Sequence, residues 1–189
     1  MGQRGTSRGA VTVERMDGAA AVRAQEAFRL IYAEAFAEPP ALETEDDVAA
    51  AFVRFPALAG RPGFRAALAR TEEGEPVGLA YGHPLPPDAV WWDELTHAVP
   101  DDLRREDGHR TFGLRELAVR GPWRGQGIAR RLHETLREGL RAERMLLNVH
   151  PENTAATAAY RSWGYRAVGE ARPGGTGAVP HRVMLLDLR

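Results

Sequence analysis

Cysteine is absent from the 189 residues, and so is lysine. The first absence excludes disulfides, thiolate metal ligands and a cysteine nucleophile. The second makes all 25 basic residues arginine. Because Arg, Ala, Gly and Pro are abundant together, this bias reads as genomic base composition rather than selection for arginine chemistry. Net charge is also nearly absent, at −1 with a pI of about 6.6, so no global field draws the chain to nucleic acid or to an anionic membrane. No apolar run reaches the ~18 residues that a spanning helix needs. The six histidines, at 83, 97, 109, 133, 150 and 181, show no i, i+4 pair or other metal spacing, and no metal is expected. A protein of the cytoplasm fits these absences, and the length suits one domain with a substantial core.

What is present centres on Arg124-Gly125-Gln126-Gly127-Ile128-Ala129. The stretch follows a strand-like apolar run, Phe112 to Val119, and opens a helix whose apolar residues Ile128, Leu132, Leu136 and Leu140 recur every fourth position. The first turn of such a helix has backbone N–H groups without intrahelical partners and carries partial positive charge. Glycines let an anion approach the main chain, and Arg124 adds a fixed charge, so a phosphorylated ligand is the natural reading. A tight turn with close helix–strand packing is the bland alternative. The stretch lacks the Gly-Lys-Ser/Thr ending of a P-loop and the third glycine of a Rossmann fingerprint.

With its flanks, Arg124-x-x-Gly127-x-Ala129 resembles the Gln/Arg-x-x-Gly-x-Gly/Ala signature of the GNAT superfamily of acyl-CoA-dependent N-acyltransferases. The preceding strand Arg115-Glu116-Leu117-Ala118-Val119 and the distal Asn153…Tyr160-Arg161-Ser162-Trp163-Gly164-Tyr165 resemble the family's two other hallmarks in order and spacing. Ala129 in place of the last glycine is a tolerated variant.

Taken in order, 1–10 is read as a flexible N-terminus and 11–189 as a single α/β (α+β) domain. Val11 to Arg15 is a first strand, and Ala19 to Ala37 a helix ended by Pro39-Pro40. Thr44 caps a second helix, with Asp47 three residues on, that runs to Phe55 before Pro56. Phe64 to Arg70 and Pro76 to Gly82 form a hairpin around a polar turn containing Gly74. The periodicity then vanishes from His83 to Arg110, giving an insertion over 83–111 before the central strand. After the glycine loop and its helix come a strand at Met145 to Val149 and a helix capped by Asn153 and stopped at Gly164. Strands at Tyr165 to Val168 and Arg182 to Leu188 close the chain. The expected architecture is a central mixed sheet of about seven strands flanked by about four helices, the order the resemblance implies.

Glu116 has side-chain parity opposite to Leu117 and Val119, so it points away from the core if they face it. A carboxylate there can take a proton from an ammonium, directly or through water; a solvated carboxylate or a partner for Arg115 or Arg137 is the structural alternative. The resemblance puts the family's frequent general base on Glu116. It puts the general acid on Tyr160, seven residues after Asn153, where a core aromatic is the alternative. It further implies acetyl-CoA as cosubstrate. The main chain of Leu117, Ala118 and Val119 would pair with pantetheine as an added strand. The amides of Gly125, Gln126, Gly127, Ile128, Ala129 and Arg130 would take the pyrophosphate, with Arg124, Arg130 or Arg131 at the adenosine phosphate and Asn153 touching pantetheine. The expected acceptor is the primary amine of a small molecule; a protein N-terminus or a non-catalytic acyl-CoA sensor are the alternatives. In the insertion, Trp91, Trp92, Asp93 and Glu94 suit a cationic acceptor with an apolar portion and predict a lid. Anchoring of the tryptophans in the core, or a homodimer contact, remains the other reading.

Overall fold

The computed structural model describes residues 9–175 and 177–189; the terminus expected to be flexible therefore lies almost wholly outside the described residues. Seven strands form one sheet in the order β1-β2-β3-β4-β5-β7-β6. They are β1 Val11–Met16, β2 Arg65–Thr71, β3 Pro76–Pro84, β4 Thr111–Val119, β5 Arg144–Val149, β6 Arg166–Ala171 and β7 His181–Asp187. Adjacent pairs are antiparallel except β4 and β5. That parallel pair is held only at Thr111↔Arg144, Phe112↔Met145 and Gly113↔Leu146. Beyond Gly113 the two strands part, and the β5-side edge of β4 through Val119 is left without a strand partner among the described residues.

Six helices cover the faces: α1 Gly18–Arg23, α2 Gln25–Phe36, α3 Glu45–Ala59, α4 Asp101–Arg104, α5 Ile128–Arg137 and α6 Thr154–Ser162. Three of the sequence expectations need correction. The first helix is broken at Ala24, whose φ of −96° and ψ of 11° end α1 and redirect the chain into α2. The kink keeps both Ala21 of α1 and Phe28, Ile31 and Tyr32 of α2 on the core. The second helix continues through Pro56 to Ala59; Pro56 lies on the solvent side, where water can take the backbone bond it removes. Leu140 falls beyond the end of α5, though it still packs on the core.

Local chemistry explains the rest. Thr44 Oγ1 accepts from the Asp47 amide at 3.3 Å while the Asp47 carboxylate accepts from the Thr44 amide at 2.9 Å, a reciprocal cap at the head of α3. Asn153 Oδ1 accepts from the Ala156 amide at 3.0 Å, and Gly164 with φ of +97° ends α6 in the left-handed region. A Cβ at Gly18 would stand 1.9 Å from the Ala59 carbonyl oxygen, so only glycine lets α1 lie against the end of α3.

The sheet alternates between two apolar faces. On one, Phe112, Leu114, Met145 and Leu147 meet Ile128 and Leu132 of α5 and Tyr160 of α6. The opposite face is divided. Over β1 to β4, Leu68, Leu79 and Tyr81 pack with Phe28, Phe52 and Phe55 of α1 to α3. Over β5 to β7, Leu146, Val183 and Leu185 pack with Leu85, Trp91 and Trp92 of the insertion. These two halves are separate clusters, and we take the seam between them, over the place where β4 and β5 part, as the candidate cleft.

Candidate active site

The cleft floor is shaped by one extra residue in β4. Tyr81 pairs with Glu116, but the next pair is Gly82 with Leu114, so Arg115 is left unpaired as a β-bulge. A bulge shifts the alternation by one residue and bends its strand. Leu114 before it and Leu117 and Val119 after it therefore all face α5 and α6, and Glu116 is turned onto the cleft face beside Tyr81. His83, paired with Gly113, lies on that same face.

Glu116 meets a second carboxylate. Glu43 follows Leu42, a non-glycine residue held at φ of +50°, an unfavourable backbone state that turns the chain back over α2. The Glu43 amide donates to the Phe36 carbonyl at 2.8 Å, and its Oε1 accepts from the Tyr32 hydroxyl at 2.9 Å. Burial, and then the negative charge of Glu43, push the Glu116 carboxyl up to about 8, against the opposing pull of Arg115. Burial likewise raises Glu43 above its ordinary value, with the Tyr32 hydrogen bond acting the other way. Tyr32 and Tyr81 are held protonated far above their usual range by burial and, next, by Glu116. Of the two carboxyls, Glu116 is raised to where it can exchange a proton near neutral pH.

Tyr160 stands on the other side of the β4–β5 opening. It is 8% exposed and packs edge-on against Trp163 and Tyr165, each with ring centroids at 5.5 Å. Behind them His133 Nε2 lies 2.8 Å from the Tyr165 hydroxyl; burial lowers this imidazole to about 4, which makes it a neutral part of the core. No hydrogen bond within the described residues engages the Tyr160 hydroxyl. Burial, and next the Glu116 charge, raise that phenol above its usual range.

Below the opening, the chain leaves β4 through a turn of 3-10 helix at Gly121–Trp123 and reaches α5 by way of Gly125 and Gly127 at φ of +73° and +76°. Open space surrounds the place of a Cβ at either glycine, so they are required by backbone geometry rather than crowding. Among the described residues no backbone acceptor takes the amides from Gly125 to Arg130; the first α5 bond is Arg131 to the Gly127 carbonyl at 3.1 Å. The neighbouring arginines are spoken for. Arg124 Nη1 pairs with Glu38 at 2.6 Å and its Nε donates to the Val119 carbonyl at 2.9 Å. Arg130 pairs with Glu134 at 2.9 Å, and Arg131 donates to the Val11 carbonyl at 2.7 Å.

The insertion is folded onto the sheet. A 3-10 turn at Val90–Glu94 buries Trp91 and Trp92 to 6% and 3% exposure. Trp91 Nε1 donates to Asn148 Oδ1 at 2.9 Å, and its ring fills the space above Gly113, where a Cβ would approach it to 2.7 Å. Trp92 Nε1 donates to Glu106 Oε1 at 2.8 Å, which also pairs with Arg144 at 3.0 Å in a fully buried bridge. Asp93 is drawn outward to Arg104 at 2.5 Å. Of the four insertion residues singled out in the sequence, Glu94 is the one whose charge reaches the cleft, through Arg115.

The model of the Acetyltransferase (GNAT) family matches residues 25–165, a span that holds Glu43, Glu116, the glycine loop and Tyr160. The chain belongs to the GNAT acetyltransferase family. Solved structures share its fold. The ribosomal-protein-S18-alanine N-acetyltransferase of Escherichia coli is 20% identical, over 95% of this chain and 94% of that one, with a TM-score of 0.59. An acetyltransferase of Thermus thermophilus is also 20% identical, over 95% and 97%, with a TM-score of 0.63. The PaiA N-acetyltransferase of Thermoplasma acidophilum, solved in complex with coenzyme A, is 10% identical over 94% and 99%, with a TM-score of 0.60. Comparison with curated protein sequences finds no match. Around Glu116 the sequence reading missed Glu43, Tyr32, Tyr81 and His83. Only the acidic run after Thr44 hinted that carboxylates gather near that loop.

Proposed function

We propose that the protein transfers an acetyl group from acetyl-CoA to the primary amine of a small molecule, by direct attack within a ternary complex. What carries the reading is that the charge of Glu116, a base candidate on β4, bears on the buried phenol of Tyr160, an acid candidate on α6. The cosubstrate's pyrophosphate suits the free amides of Gly125 to Arg130 at the head of α5. The bare edge of β4 at Leu117, Ala118 and Val119 suits an added strand such as the pantetheine arm, although the Val119 carbonyl is already engaged by Arg124. Bound acetyl-CoA supplies an electrophilic thioester.

The chain's own residues do the proton work. Ionised Glu116 takes a proton from the ammonium, directly or through water, freeing the nitrogen lone pair. Nitrogen attacks the carbonyl carbon, the C–N bond forms and the C–S bond breaks. The Tyr160 hydroxyl, kept protonated by burial, gives its proton to the departing sulfur, and the second proton that the nitrogen sheds as the amide forms restores the phenol through water. Glu43 adds negative charge that favours an ammonium in the cleft and raises the basicity of Glu116. The test is free-thiol release from acetyl-CoA over a panel of amines, aminoglycosides and peptides. Turnover with small amines is expected; turnover with peptides alone would move the acceptor to protein N-termini, and silence with tight CoA binding would mark a sensor.

A further inference from the structure

The acids occupy only half of the cleft. A bulge sets its extra residue and the next one on the same side of the sheet, so Arg115 joins Glu116 on the cleft face. Its guanidinium lies over the Trp91 ring of the insertion at 5.3 Å. Glu116 and Glu94 both attract it, yet neither is within ion-pair distance among the described residues. Arg61, just past the end of α3, bears on Arg115 and on His83 and is likewise without an ion pair among the described residues. His83 completes this end. It is 2% exposed, its Nδ1 is 2.8 Å from the Pro84 carbonyl, and its Nε2 is buried without any hydrogen-bond partner. Since a carbonyl can only accept, the ring hydrogen sits on Nδ1, and Nε2 is a buried acceptor without a partner. A buried polar atom in this state calls for a partner.

On the acetyltransferase reading, we infer that the acceptor is a zwitterion, an amine bearing a carboxylate or phosphate, with its ammonium at Glu116 and Glu43 and its anion at Arg115, Arg61 and His83. Arg115 and Glu116 are adjacent in sequence and share a face only because of the bulge, so the two charges of the ligand are read by neighbouring side chains. Trp91, pinned through Asn148, fixes the plane on which the guanidinium rests, and a planar fork matches either anion. Burial, and also the two arginines, hold the free His83 ring neutral. A bound anion offsets the arginines and lets Nε2 take up a proton and donate it to the ligand.

The experiment compares matched acceptors by thiol release: amino acids against their decarboxylated amines, and aminoalkyl phosphates against the parent amino alcohols. The anionic member of at least one series should be favoured roughly 10- to 100-fold in kcat/KM, the scale of one charge-assisted hydrogen bond. The favoured series identifies the anion. Arg115→Gln, and separately the exposed Arg61→Gln, should each raise KM for that member several-fold more than KM for its uncharged partner, so that the ratio between the two falls towards one. Equal or better turnover of the uncharged amines in both series would overturn the inference while leaving the acetyltransferase intact. Silence with every acceptor, although CoA raises the melting temperature, would overturn the acetyltransferase reading and this inference together.

Discussion

Glu116 is paired directly with Tyr81, and the next pair along the β3–β4 ladder joins Gly82 to Leu114. That single skipped residue turns Glu116 from the α5 face into the cleft, where Glu43 and Tyr32 approach from the loop and helix before α3. The basicity of the site follows from this placement. Desolvation lifts the carboxyl, and Glu43 lifts it further.

Replacing Glu43 with Gln removes the second of those causes while keeping an acceptor for the Tyr32 hydroxyl. The ascending limb of the pH–rate profile should then move to lower pH, staying above the ordinary carboxylate range because burial remains the larger cause. A profile of kcat/KM for the wild type and the variant checks this; an unmoved or alkaline-shifted limb would mean that Glu43 does not act on the base.

Tyr160→Phe should lower kcat by roughly 10²-fold or more, the scale of losing a general acid. The hydroxyl has no hydrogen-bond partner among the described residues, and the ring contacts with Trp163 and Tyr165 stay. Melting temperature and CoA affinity should therefore hold. A wild-type rate in the folded variant would return Tyr160 to a packing role.

These two residues differ in how far the sequence displayed them. Tyr160 follows a cap, Asn153, and precedes a left-handed stop, Gly164, so local chemistry fixes its helix and spacing fixes its place. The reciprocal cap of Thr44 and Asp47 and the glycine loop were legible for the same reason: each is a short-range bond pattern. Glu43 was not legible, because it enters the site only through the left-handed turn at Leu42 and the bond to Tyr32. Nor was the bulge, since nothing about Arg115 marks it as the residue that β3 leaves unpaired. The tryptophan pair could be seen but not its burial; Trp91 sits where Gly113 leaves room, and Trp92 where Glu106 and Arg144 meet. The break at Ala24 has no glycine or proline to announce it.

Gly127 separates backbone demand from ligand contact. Gly127→Ala should cost about 1 kcal/mol, because its φ of +76° is a left-handed state and no neighbour crowds the new methyl. CoA should still raise its melting temperature. Gly127→Glu should lose that ligand-induced rise by placing negative charge at the amides of α5. Thermal melts with and without CoA read both, and an undiminished rise in the folded glutamate variant would remove the pyrophosphate from this loop.

Glu106→Ala should destabilise the protein by about 3 kcal/mol, since it leaves Arg144 buried without its carboxylate. The melting temperature should fall by roughly 6–12 °C, with faster hydrogen exchange concentrated in residues 85–110. An unchanged melting curve would show that the insertion is not pinned by this bridge.

The role of Glu116 is tested most directly by kcat/KM for thiol release between pH 6 and 9, in the wild type and in Glu116→Gln. A base ionises as pH rises, so wild-type activity should climb through an apparent pKa of about 8. The variant should lose that limb and fall furthest behind wild type above about pH 8, where the wild-type carboxylate is ionised. Stability should carry the opposite sign. A carboxyl raised from 4.5 to about 8 on folding stabilises the protein fully below the lower value and loses that contribution as pH rises through the upper one. Melting temperatures of wild type should therefore fall relative to the variant across that window. A climbing limb retained in the variant, with melting temperatures that run parallel at every pH, would contradict Glu116 as the base.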